Sequence, residues 1–534
     1  MMQETVATPV VFAEHNVIDL IAGHLNANKY AQRAIEHLFA TAFSFIYGGT
    51  GIFNEANQYV MQHLKYAEDR RRAMRPNSPQ LIVTDGHSYI TPGRNTINPY
   101  DLFKSNDGSV ARMIPYFPND RAFSTLKNLA EALDITQTEN FGLPPKVSME
   151  VGKKDNFWHI IEAVSPEHNI PDTEILEGLE LSSGDRTIEK KLKEREEMIT
   201  YCESRGVNMY GYVNMYVLRE VTSNGGDGMM RIVKFPKGHE YEGMYTVLSD
   251  ETNSTLENPI PMSIREVNAF INANSHYIVG GGLESAVIER NGARTKLELG
   301  ISSLISDSGI TSLNPNIQIF SHAGSCVGTE SITKQDGELY KLAMQLKEKS
   351  QTVFEYIQSI SRSSTSRFKG LANLDTLTPT EREFRMSEAL KGSSFEKFGI
   401  RCSRNYPFVF VECNPRPTNY SLSILDIAAC YGLSLEDVIK KIDHDELAIR
   451  NVDSQKVQIA HGMTAEKVYA QFLRAEEELR KRRETAAVLI RMVPGEIKPT
   501  TEKIGISMHG RPDQQDENRR IMQENVNGVL RFKD

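Results

Sequence analysis

Cysteine is scarce in this sequence, with five in 534 residues. Cys202, Cys326, Cys402, Cys413 and Cys430 form no CxxC pair and no Cys/His grouping at zinc spacing, so neither a disulfide framework nor a structural zinc is indicated. A reducing cytoplasm fits that usage. No run of 18 apolar residues is present, and "MMQETVATPVVFAEHNVIDL" has no basic stretch ahead of an apolar one, so neither a membrane span nor a secretory leader is expected. Positive charge is not in excess: Lys and Arg number 61 against 70 Asp and Glu, a formal net charge of -9. There is thus no basic footprint for nucleic acid, and an anionic ligand needs a locally basic pocket. Internal repeats and low-complexity tracts are also missing.

What remains is an ordinary globular composition, 40% hydrophobic and 25% charged, in a chain long enough for about three or four lobes of roughly 100–200 residues. Residues 16–70 carry apolar positions at three- and four-residue spacing ("NVIDLIAGHL", "AQRAIEHLFATAFSFIY", "FNEANQYVMQHLKYAEDRRRA") and read as helices, a helical N-terminal extension over 1–75. "RPNSPQ" breaks the pattern. From 76 to 150, short apolar runs ("LIVTDG", "ARMIPYF") alternate with the helical "RAFSTLKNLAEAL", as in a small α/β lobe. Beyond 151 come a helix from Lys154, a charged helix "DRTIEKKLKEREEMITYCESRG", and the strand–turn–strand "NMYVLREVTSNGGDGMMRIVKF". Strand candidates "SAVIER", "TKLELGISSLIS" and "NIQIFS", a long helix over 336–361 and "GLANLD" follow. The strand at 408–411, further helices and a last strand pair complete an α/β chain.

Two stretches carry chemistry. In "FVFVECNPRPTNYS", alternation along a strand puts Glu412 and Asn414 on one face and Cys413 on the other. Two oxygen ligands at the end of a rigid strand suit a hard cation such as magnesium, with phosphate oxygens and water completing its shell. Arg416, two residues on, is a planar donor for phosphate or carboxylate. The alternative is a strand running out into a polar turn at Pro415 and Pro417. In "TSNGGDGMM", Gly225, Gly226 and Gly228 allow backbone N–H groups to close over a phosphate, or simply make a hairpin connection.

Taken in order from Lys154 to about Met508, these motifs resemble the ATP-grasp superfamily of carboxylate–amine ligases. "VECNPRP" is similar to that family's E-x-N-P-R strand end. "KKDNFWHIIEAVSPEHNIPDTEI" resembles its lysine-led helix, with Lys154 or Lys153 as the contact. "YVLREVTSNGGDGM" is similar to the strand and glycine loop that cover the phosphates, with Arg219 where lysine is usual. The resemblance implies an ATP-grasp fold over 151–534, with a lid over about 205–290 and a catalytic lobe over about 291–534.

It further implies magnesium, or manganese, held by Glu412, Asn414 and Asp375, the last ending "FKGLANLD". Glu289 in "SAVIER" falls at the purine edge and Glu298 in "TKLELG" near the ribose. ATP would be bound by Lys154, Arg219 and the three glycines. One departure stands out: "TPTEREFRMSEALKGSSFEKFGIRCSRNYP" intervenes where the family returns quickly from one metal acid to the next.

The activity implied is amide or peptide bond formation through an acyl-phosphate, with release of ADP and phosphate. Arg416 would serve the tetrahedral oxyanion, and the partners would be small carboxylate and amine substrates, amino acid or peptide in character. Neither nucleic acid nor membrane is expected as a partner, and homo-oligomerisation stays open. Transfer of the acyl-phosphate to a thiol, phosphorylation of another acceptor, or nucleotide binding without turnover are the alternatives.

Overall fold

The computed structural model describes residues 10–12, 50–54, 81–84, 89–90, 111–113 and 138–532, apart from 185–186, 222–228, 250–251, 253, 291–292, 321–325, 363–367, 417, 453–456, 460–464, 483–486, 493–504 and 527–529. Helix and strand alternate through the described chain, so the α/β class read from the sequence holds.

The described strands of the first 141 residues include Val10–Phe12, Thr50–Asn54, Leu81–Thr84 and Ala111–Met113. These four pair parallel with one another, and the last joins Thr138–Phe141, while Tyr89–Ile90 pairs antiparallel with Leu81–Thr84. Strands on both sides of residue 75 therefore share one sheet. The helices expected within 16–70, and the one expected at "RAFSTLKNLAEAL", lie outside the described residues.

Thr138–Phe141 runs parallel to Phe368–Leu377, continuing that sheet into the rest of the molecule. There the pairing turns antiparallel. Glu298–Ser306 is zipped to Phe368–Leu377 from Glu298↔Leu377 to Ser306↔Lys369. Asn316–Phe320 borders the first and Val409–Asn414 the second. One face is closed by the helices Lys154–Val164 and Glu338–Ser361. Phe157, Ile160 and Ile161 from the first, and Leu346, Val353, Phe354 and Ile357 from the second, fall at helical spacing and meet Leu299, Ile301, Leu374, Phe410 and Cys413. Each such fully buried side chain contributes roughly 1.5–3 kcal/mol.

A separate five-stranded antiparallel sheet has the order Tyr245–Leu248, Met229–Lys234, Met215–Glu220, His276–Gly281, Glu174–Glu177. The helix Ile188–Ser204, capped by Thr187 accepting from the Lys190 amide, supplies Ile188 and Leu192 to its core with Tyr216, Leu218, Ile232, Val247 and Val279. "SAVIER" joins neither sheet: Val287–Arg290 forms a two-stranded hairpin with Ala293–Lys296. The expected last strand pair is Ala487–Met492 with Gly505–Gly510.

Candidate functional site

The site begins with a register shift. Thr376 pairs with Phe410 and Asp375 with Glu412, so Val411 is the extra residue of a β-bulge. In an unbroken strand, Phe410 and Glu412 would point the same way. The bulge re-aims the chain. Phe410 and Cys413 go into the core, while Glu412 and Asn414 join Asp375 and Asn373 on the opposite face.

Alternation along the neighbouring strands extends this polar face. Glu298, Gly300 and Ser302 are in register with Leu377, Asp375 and Asn373, while Gln318 and Asn316 are in register with Glu298 and Gly300. Gly300 leaves room there: a Cβ on it would lie 3.0 Å from Gln318 Nε2 and 3.3 Å from Asn316 Oδ1.

The hydrogen bonds converge on Asp375. Asn373 Nδ2 donates to Oδ1 at 2.7 Å, Asn414 Nδ2 to Oδ2 at 2.8 Å, and Gln318 Nε2 to Oδ1. Asn414 Nδ2 also lies 3.3 Å from Glu412 Oε1. Burial, followed by the adjacent Glu412 carboxylate, lifts the Asp375 carboxyl to about 8, against the donors from Asn373 and Gln318. Two carboxylates and an amide thus face one point. Turning the Asn414 amide over presents Oδ1 and makes three oxygens, a donor set that suits a hard divalent cation. Among the described residues there is no group of three or more His, Cys, Asp or Glu able to hold a metal; this set depends on the amide.

Cations come from elsewhere in the fold. Arg219 is 8% exposed and its Nη1 donates to the Val411 carbonyl at 2.8 Å, so it spans from the small sheet to the bulge. Burial lowers its pKa, opposed by Glu412. Lys154 is 7% exposed, at the start of its helix, with Nζ 3.2 Å from the Glu220 carbonyl. Arg231 is in register with Val217, two residues before Arg219, and so shares its face of the small sheet.

Glu298 has its pKa raised by burial, opposed first by Lys296 and then by Arg231. Lys296 has its own lowered by burial and then by Arg231. The acids therefore sit on the large sheet, and Arg219 and Arg231 on the small one.

The structure brings together Asp375, Glu412, Asn414 and Arg219, with Glu298 on the same sheet face. Arg416 is half-buried, two residues past Asn414. Glu289 is set apart: it is exposed on the hairpin, whose next residue, Arg290, is turned to Glu330 at 2.6 Å and Asp336 at 2.7 Å. Gly225, Gly226 and Gly228 lie outside the described residues. Sequence reasoning missed Arg231, Lys296, Gln318 and Asn373. Arg231 and Gln318 had a signal, since each is a polar residue at alternate spacing inside an apolar strand ("MMRIVK", "NIQIF").

No protein-family model matches the chain, and no curated protein matches it in sequence. Among solved structures it is similar to an L-amino acid ligase from Bacillus licheniformis, with 9% identity, a TM-score of 0.45 and 99% of each chain covered. It is also similar to phosphoribosylamine–glycine ligase from Thermotoga maritima, with 10% identity, TM-score 0.43, and 98% of this chain and 97% of that one covered. For biotin carboxylase from Campylobacter jejuni the values are 10% identity, TM-score 0.43, and 98% and 92% covered. At TM-scores below 0.5 and about one identical residue in ten, these likenesses carry no argument about ligand or chemistry.

Proposed function

We propose that this chain is an ATP-dependent carboxylate–amine ligase of the ATP-grasp type, forming an amide or peptide bond through an acyl-phosphate and releasing ADP and phosphate. The observation that carries the reading is the polar face centred on Asp375, Glu412 and Asn414, set against cations from the small sheet. A half-buried acid pair beside a buried arginine is poor design for stability alone, since desolvating charges offsets much of their attraction. It suits a polyanion that needs a metal on one side and cations on the other.

Asp375, Glu412 and Asn414 would hold magnesium, or manganese, which when bound neutralises charge on the phosphates. Arg219 and Lys154 orient the phosphates, joined by the glycines of "SNGGDGMM". Glu298 accepts from the ribose hydroxyls, and Glu289 is assigned to the purine edge. Arg416 donates to the oxyanion formed when an amine attacks the activated carboxylate. The cleft between the sheets keeps water from the acyl-phosphate.

The substrates proposed are an amino acid or peptide carboxylate and a small amine. Among the described residues, Cys202, Cys402 and Cys413 are free buried thiols, which accords with a reducing, cytoplasmic setting. No helix among the described residues is long and apolar enough to cross a membrane.

The test is a mass-spectrometric screen of amino acid and peptide mixtures with ATP and magnesium. A new amide, formed one for one with ADP, is expected. ATP consumption that yields a thioester or phosphorylated acceptor instead would favour another second step.

A further inference from the structure

The intervening segment 378–407 is not a detached loop. Thr380 caps the helix Glu381–Leu390, which is followed by a short turn at Glu396–Phe398. Met386, Leu390 and Phe398 pack with Met198, Cys202, Val207 and Met209, at and beyond the end of the helix that backs the small sheet. Phe384, Ile400 and Cys402 pack with Val409 and Leu283 on the other side. Lys397 pairs with Glu194 of that same helix at 2.7 Å. The segment therefore straps the small sheet's helix to the strand that carries Glu412.

The strap also grips the chain where it leaves the small sheet, at Gly280-Gly281-Gly282. A Cβ on Gly281 would fall 1.8 Å from Arg195 Nη1, and one on Gly282 2.4 Å from Met215 Cε, so side chains close directly on the backbone. Arg195 Nη2 donates to the Gly282 carbonyl at 3.0 Å and to the Tyr212 hydroxyl at 3.0 Å. That hydroxyl donates to Glu383 Oε1 at 3.1 Å, and the same oxygen accepts from the Glu284 amide at 2.8 Å. Thr380 completes the grip: its amide donates to the Glu284 carbonyl at 3.0 Å and its hydroxyl to the Glu284 carboxylate at 2.9 Å.

Arg195 and Glu383 are each 2% exposed. Two buried charges separated by one hydroxyl add little over apolar packing. What they do that apolar side chains cannot is fix the direction of peptide groups.

We propose that Glu383 and Arg195 are positioning residues, which fix the 282–284 peptides and so hold the small sheet, with Arg219, in its place against Glu412 and Asp375, and that the segment 378–407 is the brace carrying Glu383. This rests on the nucleotide reading above. The same arrangement makes the crossing between the sheets a fixed connection.

The experiment measures affinity for a non-hydrolysable ATP analogue with magnesium, alongside amide exchange over 280–286, in the parent and three variants. Glu383→Ala and Tyr212→Phe are expected to lower affinity on the order of 10-fold, as a buried group loses its partner, and to speed exchange at Glu284. Glu383→Gln keeps the accepting oxygen and is expected to restore both. Tyr212→Phe removes one hydroxyl and keeps the test decisive should Glu383→Ala not fold. Parent-like affinity and exchange in Glu383→Ala or Tyr212→Phe overturns the positioning role and leaves the nucleotide reading standing; so does a glutamine variant as impaired as alanine. A parent that does not bind the analogue overturns the nucleotide reading itself, and this inference with it.

Discussion

Phe410 and Glu412 lie two apart, yet one is core and the other lies on the opposite, polar face, because Val411 is a bulge. Spacing alone put Glu412 and Asn414 together, since that pair lies beyond the bulge, but it gave no sign that Phe410 would part from them. Asp375 came from resemblance; Asn373 sits two residues before it on the same strand, and Gln318, though polar in an apolar strand, meets Asp375 only once the sheet is assembled. If the cluster holds the metal, Glu412→Gln should weaken magnesium-dependent ATP-analogue binding on the order of 100-fold, with stability almost unchanged; calorimetric titration with and without magnesium checks this. His168 offers a separate test. It is buried, stacked on Phe408 at 4.4 Å with Nδ1 2.8 Å from the Phe408 carbonyl, and burial lowers its pKa from 6.5. The unfolded chain therefore takes up the proton first as pH falls, so this group's contribution is intact above about 6.5 and is lost below it, with a slope of at most about 1.4 kcal/mol per pH unit. Urea midpoints between about pH 5 and 8 should show that slope in the parent and a flatter one in His168→Gln.

At the scale of elements, the long helix and the strands at 298, 316 and 368 were legible because their apolar periods are unbroken. "SAVIER" was legible as a strand but not as an isolated hairpin, since a short run says nothing of its partner. Gly370 shows what sequence withholds. A Cβ there would lie 2.5 Å from the Leu143 amide nitrogen and 2.7 Å from the Gly142 carbonyl carbon, where the parallel strand Thr138–Phe141 joins the antiparallel part of the sheet. Backbone cannot yield as a flexible side chain does, so Gly370→Ala should lower unfolding free energy by about 1–3 kcal/mol, read from urea denaturation. Phe354→Ala, which empties a fully buried site between helix and sheet, should cost about 3–5 kcal/mol in the same measurement.

For the whole molecule, the reading joins two sheets with unlike faces: acids and amides on the large one, Arg219 and Arg231 on the small one, and the strap 378–407 between them. The sequence announced the strap only as an interruption, because its contacts reach back to the 188–204 helix. The claim that matters most is that a carboxylate attacks the terminal phosphoryl group of ATP, and it is tested by the products formed when the amine is replaced by hydroxylamine. The protein, with ATP, magnesium and a mixture of amino acids and short peptides, is predicted to release ADP and phosphate in step with a hydroxamate, and to lose hydroxamate formation in Arg416→Ala by more than it loses ATP binding. AMP and pyrophosphate in place of ADP, or ADP with no activated carboxylate, would contradict the account.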